Sequence, residues 1–175
     1  MEFNQLIAKR RSIRKFEPQA VPQEVVDRLV EATLTAPSSR NSRSTHLMII
    51  DNAETIARMS EMRDYGSSFM KDAPAVIVVM GDRTKTDLWK ESCSISTTML
   101  LLALVDAGLK GCWVHVDGRP QLRQEPGGKQ AIELVRELLP IPEECDVLCC
   151  VACGYSDFEP APLPEWEPEQ SISFF

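Results

Sequence analysis

Ser94-Ile95-Ser96-Thr97-Thr98-Met99-Leu100-Leu101-Leu102-Ala103-Leu104-Val105-Asp106-Ala107 (SISTTMLLLALVDA) is the stretch that decides the fold. At 3.6 residues per turn its apolar side chains fall on almost every side of a helix, which describes a central, buried helix and not one lying on a surface. The helix begins near Trp89. Gly108 and Gly111 end it, and Cys112 to Val116 returns as a strand. Before it comes Ala75 to Met80 (AVIVVM), a β-branched run of the kind found in strands covered on both faces.

Working outward, the remaining elements alternate in type. Phe3, Leu6 and Ile7 form the apolar stripe of a first helix, and Pro22 opens a second with Val25, Val26, Leu29 and Val30 inward. Leu47 to Ile50 reads as a strand. Asp51 and Glu54 have the spacing of a capping box before a helix with Ile56, Met59 and Met62 inward. Ile132, Val135, Leu138 and Leu139 mark another amphipathic helix, and Val147 to Cys153 the last core strand. The pattern predicts an α+β fold of strands clustered around a buried helix, with a single domain over 1–156. The segment 157–175 is acidic, and with Pro160, Pro162, Pro164 and Pro168 it is neither helix nor central strand; it is expected to lie over a surface, such as a partner's.

The chain has 175 residues, 43% of them apolar and 26% charged, with a net charge of −7. That balance argues against nucleic-acid binding. No apolar run approaches the roughly 20 residues of a membrane span, and the N-terminus lacks the order of a signal peptide, so a cytoplasmic protein is expected. Yet Lys9, Arg10, Arg11, Arg14 and Lys15 crowd together, and no Lys or Arg follows Arg136. A local basic cluster on an acidic protein suits a small anionic ligand. Cys150 and Cys153 make a CxxC, but the run Val147 to Ala152 reads as a buried strand in which Cys is a small hydrophobe. No metal site is expected there.

Four constellations have chemistry in them. In Arg10-Arg11-Ser12-Ile13-Arg14-Lys15-Phe16, an extended chain puts Arg10, Ser12 and Arg14 on one face, and a helix puts Arg10 and Arg14 together. Paired guanidiniums with a hydroxyl suit a phosphate, and the same cations suit a helix C-terminus. The segment Ala36-Pro37-Ser38-Ser39-Arg40-Asn41-Ser42-Arg43-Ser44-Thr45 is a loop by composition. Its uncharged donors and acceptors would read the edge of a flat heterocycle or serve as plain turn chemistry. Gly108 to Val116 leads from a tight turn through a strand to His115, as a structural residue or a functional one. Gly154-Tyr155 ends the last strand, by an ordinary turn or a close backbone approach. There is neither a GxGxxG nor a GxxxxGK[ST] signature, so no Rossmann or P-loop site is expected.

Taken in order, RRSIRKF, APSSRNSR, APAVIVV, a buried helix running into GLKGCW, and a final strand ending in GY resemble the nitroreductase family over residues 3–156. The resemblance implies FMN as cofactor, NADH or NADPH as reductant and small-molecule substrates such as nitroaromatics or quinones. It also implies a three-layer fold with a central, mostly antiparallel sheet, and an intertwined homodimer with flavin sites shared between subunits. Carried over, Arg10 meets the FMN phosphate with Arg11 and Ser12 beside it, and Arg14 lies near the ribityl chain or pyrimidine edge. Pro37, Ser38, Ser39 and Asn41 come from the other subunit, and Arg43 takes the ring contact of a family Gln. His115 and Val116 pass near the flavin N5, and Gly154 and Tyr155 close the phosphate side. His115-Val116 stands where the family often has Gly-Gly or Glu-Gly, a C-terminal cation that often holds the phosphate is missing, and a trimmed excursion over the site is implied. A flavin store or sensor without efficient turnover is the alternative function, and a thiol protein using Cys149, Cys150 and Cys153 a more distant one.

Overall fold

The computed structural model describes residues 2–163. Four antiparallel strands form its sheet: β1 (Thr45–Ile50), β2 (Ala75–Asp82), β3 (Lys110–His115) and β4 (Cys145–Gly154), in the order β1-β2-β4-β3. Five helices accompany it: α1 (Phe3–Lys9), α2 (Gln23–Leu34), α3 (Ala53–Ser60), α4 (Trp89–Asp106) and α5 (Ala131–Leu138). Every residue of β2 is buried, as its β-branched run requires for a central strand between two helical layers. Val76, Val78 and Met80 face one layer with α3 and α5, where Ile56, Met59 and Val135 pack. Ala75, Ile77 and Val79 face the other with α2 and α4, where Val25, Leu29, Cys93, Leu100 and Leu104 pack. The architecture is the expected three-layer α+β sandwich. Among the described residues, no helix is long and apolar enough to cross a membrane.

Two features of β4 bear on chemistry. Val79 pairs with Cys149 but Met80 with Val147, so Leu148 is an extra residue, a β-bulge. The Leu148 carbonyl accepts the N–H groups of Val116 and Asp117 and so ends β3 at His115. Further along, Cys150 lies in the layer of α3 and α5 and Cys153 in that of α2 and α4. Alternation along the strand thus points the two thiols of the CxxC to opposite faces, where they cannot meet. Burial pushes both up to about 12.

The structure departs from the sequence reading in several local respects. The N-cap of α3 is Asn52, whose side chain accepts from both the backbone N–H and the hydroxyl of Thr55, in place of an Asp51–Glu54 box. Pro22 is the N-cap of α2 and not its first helical residue. Helix α4 is buried on one face only: Ser92, Cys93, Ser96, Thr97, Leu100 and Leu104 face the sheet, while Ile95 is 43% and Met99 36% exposed. Helix α1 buries none of its residues, and Phe3 and Ile7 are exposed. Of the 157–175 segment, the part from residue 164 on, with Pro164 and Pro168, lies outside the described residues.

Candidate cofactor site

The basic segment after α1 is extended, and it adds a step to the sheet. Ser12 forms a parallel bridge with Gly111 on the outer side of β3, and the Ile13 N–H donates to the Gly111 carbonyl. Ile13 is buried, so alternation turns Ser12 and Arg14 outward together. Arg10, Ser12 and Arg14 all act on one neighbour, the Cys112 thiol. Burial pushes that thiol up, against the pull of Arg14, of a hydrogen bond with Ser12, and of Arg10. Alternation thus puts Ser12 and Arg14 on one side of the segment, with both guanidiniums within electrostatic range of that thiol. Arg11 does something else: its guanidinium donates to the Ala8 and Arg10 carbonyls, and so closes the C-terminal end of α1.

Along the outer edge of β3 runs a cleft of about 360 Å³, lined by Arg14, Arg63, Tyr65, Gly66, Trp113, Val114, His115 and Arg119. Strand geometry decides which backbone groups face it. The Val116 N–H goes to β4, whereas the carbonyls of Gly111 and His115 accept from Ile13 and from the Arg63 guanidinium on the other side. Alternation then directs the N–H groups of Gly111, Trp113 and His115 away from β4, toward the edge. Val116 itself is fully buried with its N–H consumed, so His115 is the member of that pair that reaches the cleft. The rings of Trp113 and His115 stack at 6.0 Å and 15°. Desolvation, joined by Arg119, Arg63 and Lys90 and opposed by Asp117, lowers the His115 pKa.

Gly154 approaches protein: a Cβ there would sit 2.5 Å from Cγ of Pro74 and 2.6 Å from Cδ. The Tyr155 carbonyl accepts from the Glu17 N–H and so fixes the chain just after the basic segment.

The polar loop sits elsewhere. The Ser39 N–H donates to the Ser92 hydroxyl near the start of α4, and the Ser38 hydroxyl accepts from the Arg43 N–H. Arg40, Asn41 and Arg43 have φ of 50°, 54° and 48°. Asn tolerates that region, but each Arg there costs about 1–2 kcal/mol. The hydroxyls of Ser42 and Ser44 are buried without partners. Pro37 and Asn41 are exposed, and Ser38 and Arg43 line a separate cavity of about 220 Å³ with Leu34, Ala36, Thr45 and Ser96.

Within one chain the two constellations stay apart. Thr45 pairs with Gly81, at one end of β2, while Gly111 reaches the Ala75 end through Cys153. Three strand spacings plus the Ser12 bridge give about 19 Å across the sheet, and six residues of β2 about 20 Å along it. Ser12 and Thr45 therefore occupy diagonally opposite corners, on the order of 25 Å apart. Helix α4 spans the same interval, with Ser92 against the loop at one end and Leu104 against Gly111 at the other.

Arg63, Tyr65, Gly66 and Arg119 escape the sequence reading, because nothing in their spacing predicts that they meet. Asp64 joins them: its N–H donates to the Gln121 carbonyl, and its carboxylate accepts from the Arg123 N–H.

Comparison with known proteins agrees with the fold. The model of the nitroreductase family matches residues 7–63 and 58–155. A protein of Methanothermobacter thermautotrophicus, provisionally named NADH dehydrogenase/NAD(P)H nitroreductase, is 29% identical over 173 residues, covering 97% of this chain and 85% of its own. The solved structure of an FMN-dependent nitroreductase from Clostridium difficile R20291 superposes with a TM-score of 0.89 at 32% identity, covering 97% of this chain and 96% of its own. A nitroreductase-fold structure from Desulfovibrio desulfuricans, solved in complex with FMN, has a TM-score of 0.77 at 21% identity and shares the fold, covering 98% of this chain and 95% of its own.

Proposed function

The chain belongs to the nitroreductase family, and we propose that it is a cytoplasmic FMN-dependent NAD(P)H oxidoreductase that assembles its cofactor sites between two copies of itself. Bound FMN would supply the redox chemistry, taking a hydride from NADH or NADPH and passing electrons to a small oxidised acceptor that then enters the same place.

The residues fit such a group. Arg63 Nε is buried without a partner, and the edge N–H groups of Trp113 and His115 stand ready for a polar planar ligand. Arg10, Ser12 and Arg14 would hold the phosphate and its flanking chain by charge-assisted hydrogen bonds. The His115 N–H would orient the ring from the β3 edge. Arg14, and Arg43 from the partner, would offset negative charge that develops on it. None of these roles needs a nucleophilic side chain.

The observation that carries the shared site is the diagonal separation of Ser12 from the Ser38–Arg43 loop. A ligand of mononucleotide size does not reach both in one chain. Ile95, Met99 and Leu102 form a stripe at i, i+4 and i+7 along α4, between the two corners. Two-fold pairing through this stripe would set the loop end of one α4 beside the partner's Gly111 end and complete the site twice. The 157–163 segment would lie toward the same partner.

The purified protein is expected to carry the absorption bands of oxidised flavin and to oxidise NADH or NADPH when a quinone or nitroaromatic is present. A protein that stays colourless after incubation with FMN overturns the proposal. One that binds FMN without oxidising either nicotinamide is a flavin store or sensor.

A further inference from the structure

Beyond the groups that would hold the cofactor, the cleft carries positive charge that FMN binding does not use. Arg119 lines it, and Arg123 lies 5.7 Å from the centre of the Tyr65 ring, whose other neighbour, Arg63 at 4.2 Å, is among the groups that would hold the cofactor. Among the described residues, Arg63, Arg119 and Arg123 have no ion-pair partner. Of the carboxylates nearby, Asp117 is taken up by Lys90 at 2.7 Å, and Asp64 holds the Arg123 backbone.

The segment that presents Arg119 and Arg123 is also fixed before any ligand arrives. Asp64 ties it to the Arg63 segment by two hydrogen bonds. A bridge between Pro120 and Gln130, with the Gln121 N–H donating to the Lys129 carbonyl, closes it from behind. Guanidiniums carried on a backbone fixed in this way, with Arg123 also held against the Tyr65 ring, lose less freedom on meeting an anion. On an acidic chain, such a local field also draws anions to one place.

We propose that Arg119, on the wall of the cleft, and Arg123, against its Tyr65, make the cleft selective for a substrate bearing an oxyanion: a carboxylate or sulfonate on the electron acceptor, or the extra phosphate that separates NADPH from NADH. This rests on the reading of the cleft as the place where substrates meet bound FMN. The group recognised is the same in both cases, and kinetics tell the sources apart.

The test compares 4-nitrobenzoate with its neutral counterpart 4-nitrobenzamide, each with NADH and with NADPH, on the FMN-loaded protein and its R119Q/R123Q variant. At least one charged partner is expected to exceed its less charged counterpart about tenfold in kcat/KM, with the ratio falling toward one in the variant. A preference among acceptors identifies the acceptor as the anion, and a preference for NADPH identifies the reductant. Equal kcat/KM on both arms, or a preference that survives in the variant, overturns the proposal, as does loss of FMN from the variant, which would assign these arginines to the cofactor. Calorimetric titration with 4-nitrobenzoate, 4-nitrobenzamide, NADPH and NADH answers the same question without turnover. A wild-type protein that takes up no FMN yet still binds a charged partner the more tightly refutes the flavin reading and leaves the selective cleft standing.

Discussion

The indole N–H of Trp113 donates to Nδ1 of His115 at 3.3 Å. Because Nδ1 accepts, the proton of the neutral imidazole sits on Nε2, and a second proton would have to displace this bond. Desolvation and the neighbouring Arg119, Arg63 and Lys90 oppose that proton too, with only Asp117 favouring it. His115 is therefore expected to titrate below the ordinary value of about 6.5 in an NMR titration. The stability this confers is present above the unfolded value and is lost as pH falls through the folded one, since the unfolded chain binds the proton first. Trp113→Phe should raise the His115 pKa. An imidazole that titrates at or above 6.5 in the wild type contradicts the arrangement.

The shared side of Arg10, Ser12 and Arg14 makes a second expectation specific. A charge-assisted hydrogen bond contributes about 1.5–3 kcal/mol, so Arg14→Gln should weaken FMN binding by roughly 10–100-fold. Ser12→Ala, which removes a neutral hydroxyl, should have the smaller effect. Arg11→Gln should act mainly on stability, since its guanidinium serves the end of α1. Fluorescence titration of apoprotein with FMN orders the three, and an Arg11 variant that loses FMN as severely as the Arg14 variant refutes this division of labour.

Gly154 tests whether its bare backbone serves the fold or a ligand. The place of its Cβ is filled by the Pro74 ring, which has little room to turn aside. Gly154→Ala is therefore expected to destabilise the protein by about 1–3 kcal/mol, seen as a melting temperature lower by several degrees. A variant with unchanged melting temperature and weakened FMN binding would place the close approach at the cofactor instead.

How far the sequence reveals these features depends on whether their cause is local. AVIVVM announces β2 because burial on both faces selects β-branched residues at every position. The face shared by Arg10, Ser12 and Arg14 is legible for the same reason, since alternation around Ile13 decides it. The cap of α3 is off by one because Asn52 outcompetes Asp51 for Thr55, a choice between adjacent residues of similar propensity. The cleft partners Arg63, Tyr65 and Arg119 are not legible, since contacts distant in sequence, such as the tie from Asp64 to Gln121 and Arg123, bring their segments together. Helix α4 is an intermediate case. Its composition states that both faces are apolar, but composition does not distinguish burial by one's own sheet from burial by another chain.

That distinction is open to a direct experiment at Ile95. On an isolated chain its side chain is solvent-exposed, and Ile95→Glu should change stability by no more than about 0.5 kcal/mol. In a dimer paired through α4, the same substitution sets a carboxylate in the apolar seam, and burying an unpaired charge opposes association. Sedimentation of the Ile95→Glu variant should then show half the wild-type mass. FMN should be lost with it, because the Ser12 and Ser38–Arg43 half-sites are on the order of 25 Å apart in one chain. Met99→Glu, one turn further along the stripe, should act in the same way, while Glu91→Gln at the exposed start of the helix should not. A monomeric variant that keeps its flavin would place the whole site within a single chain.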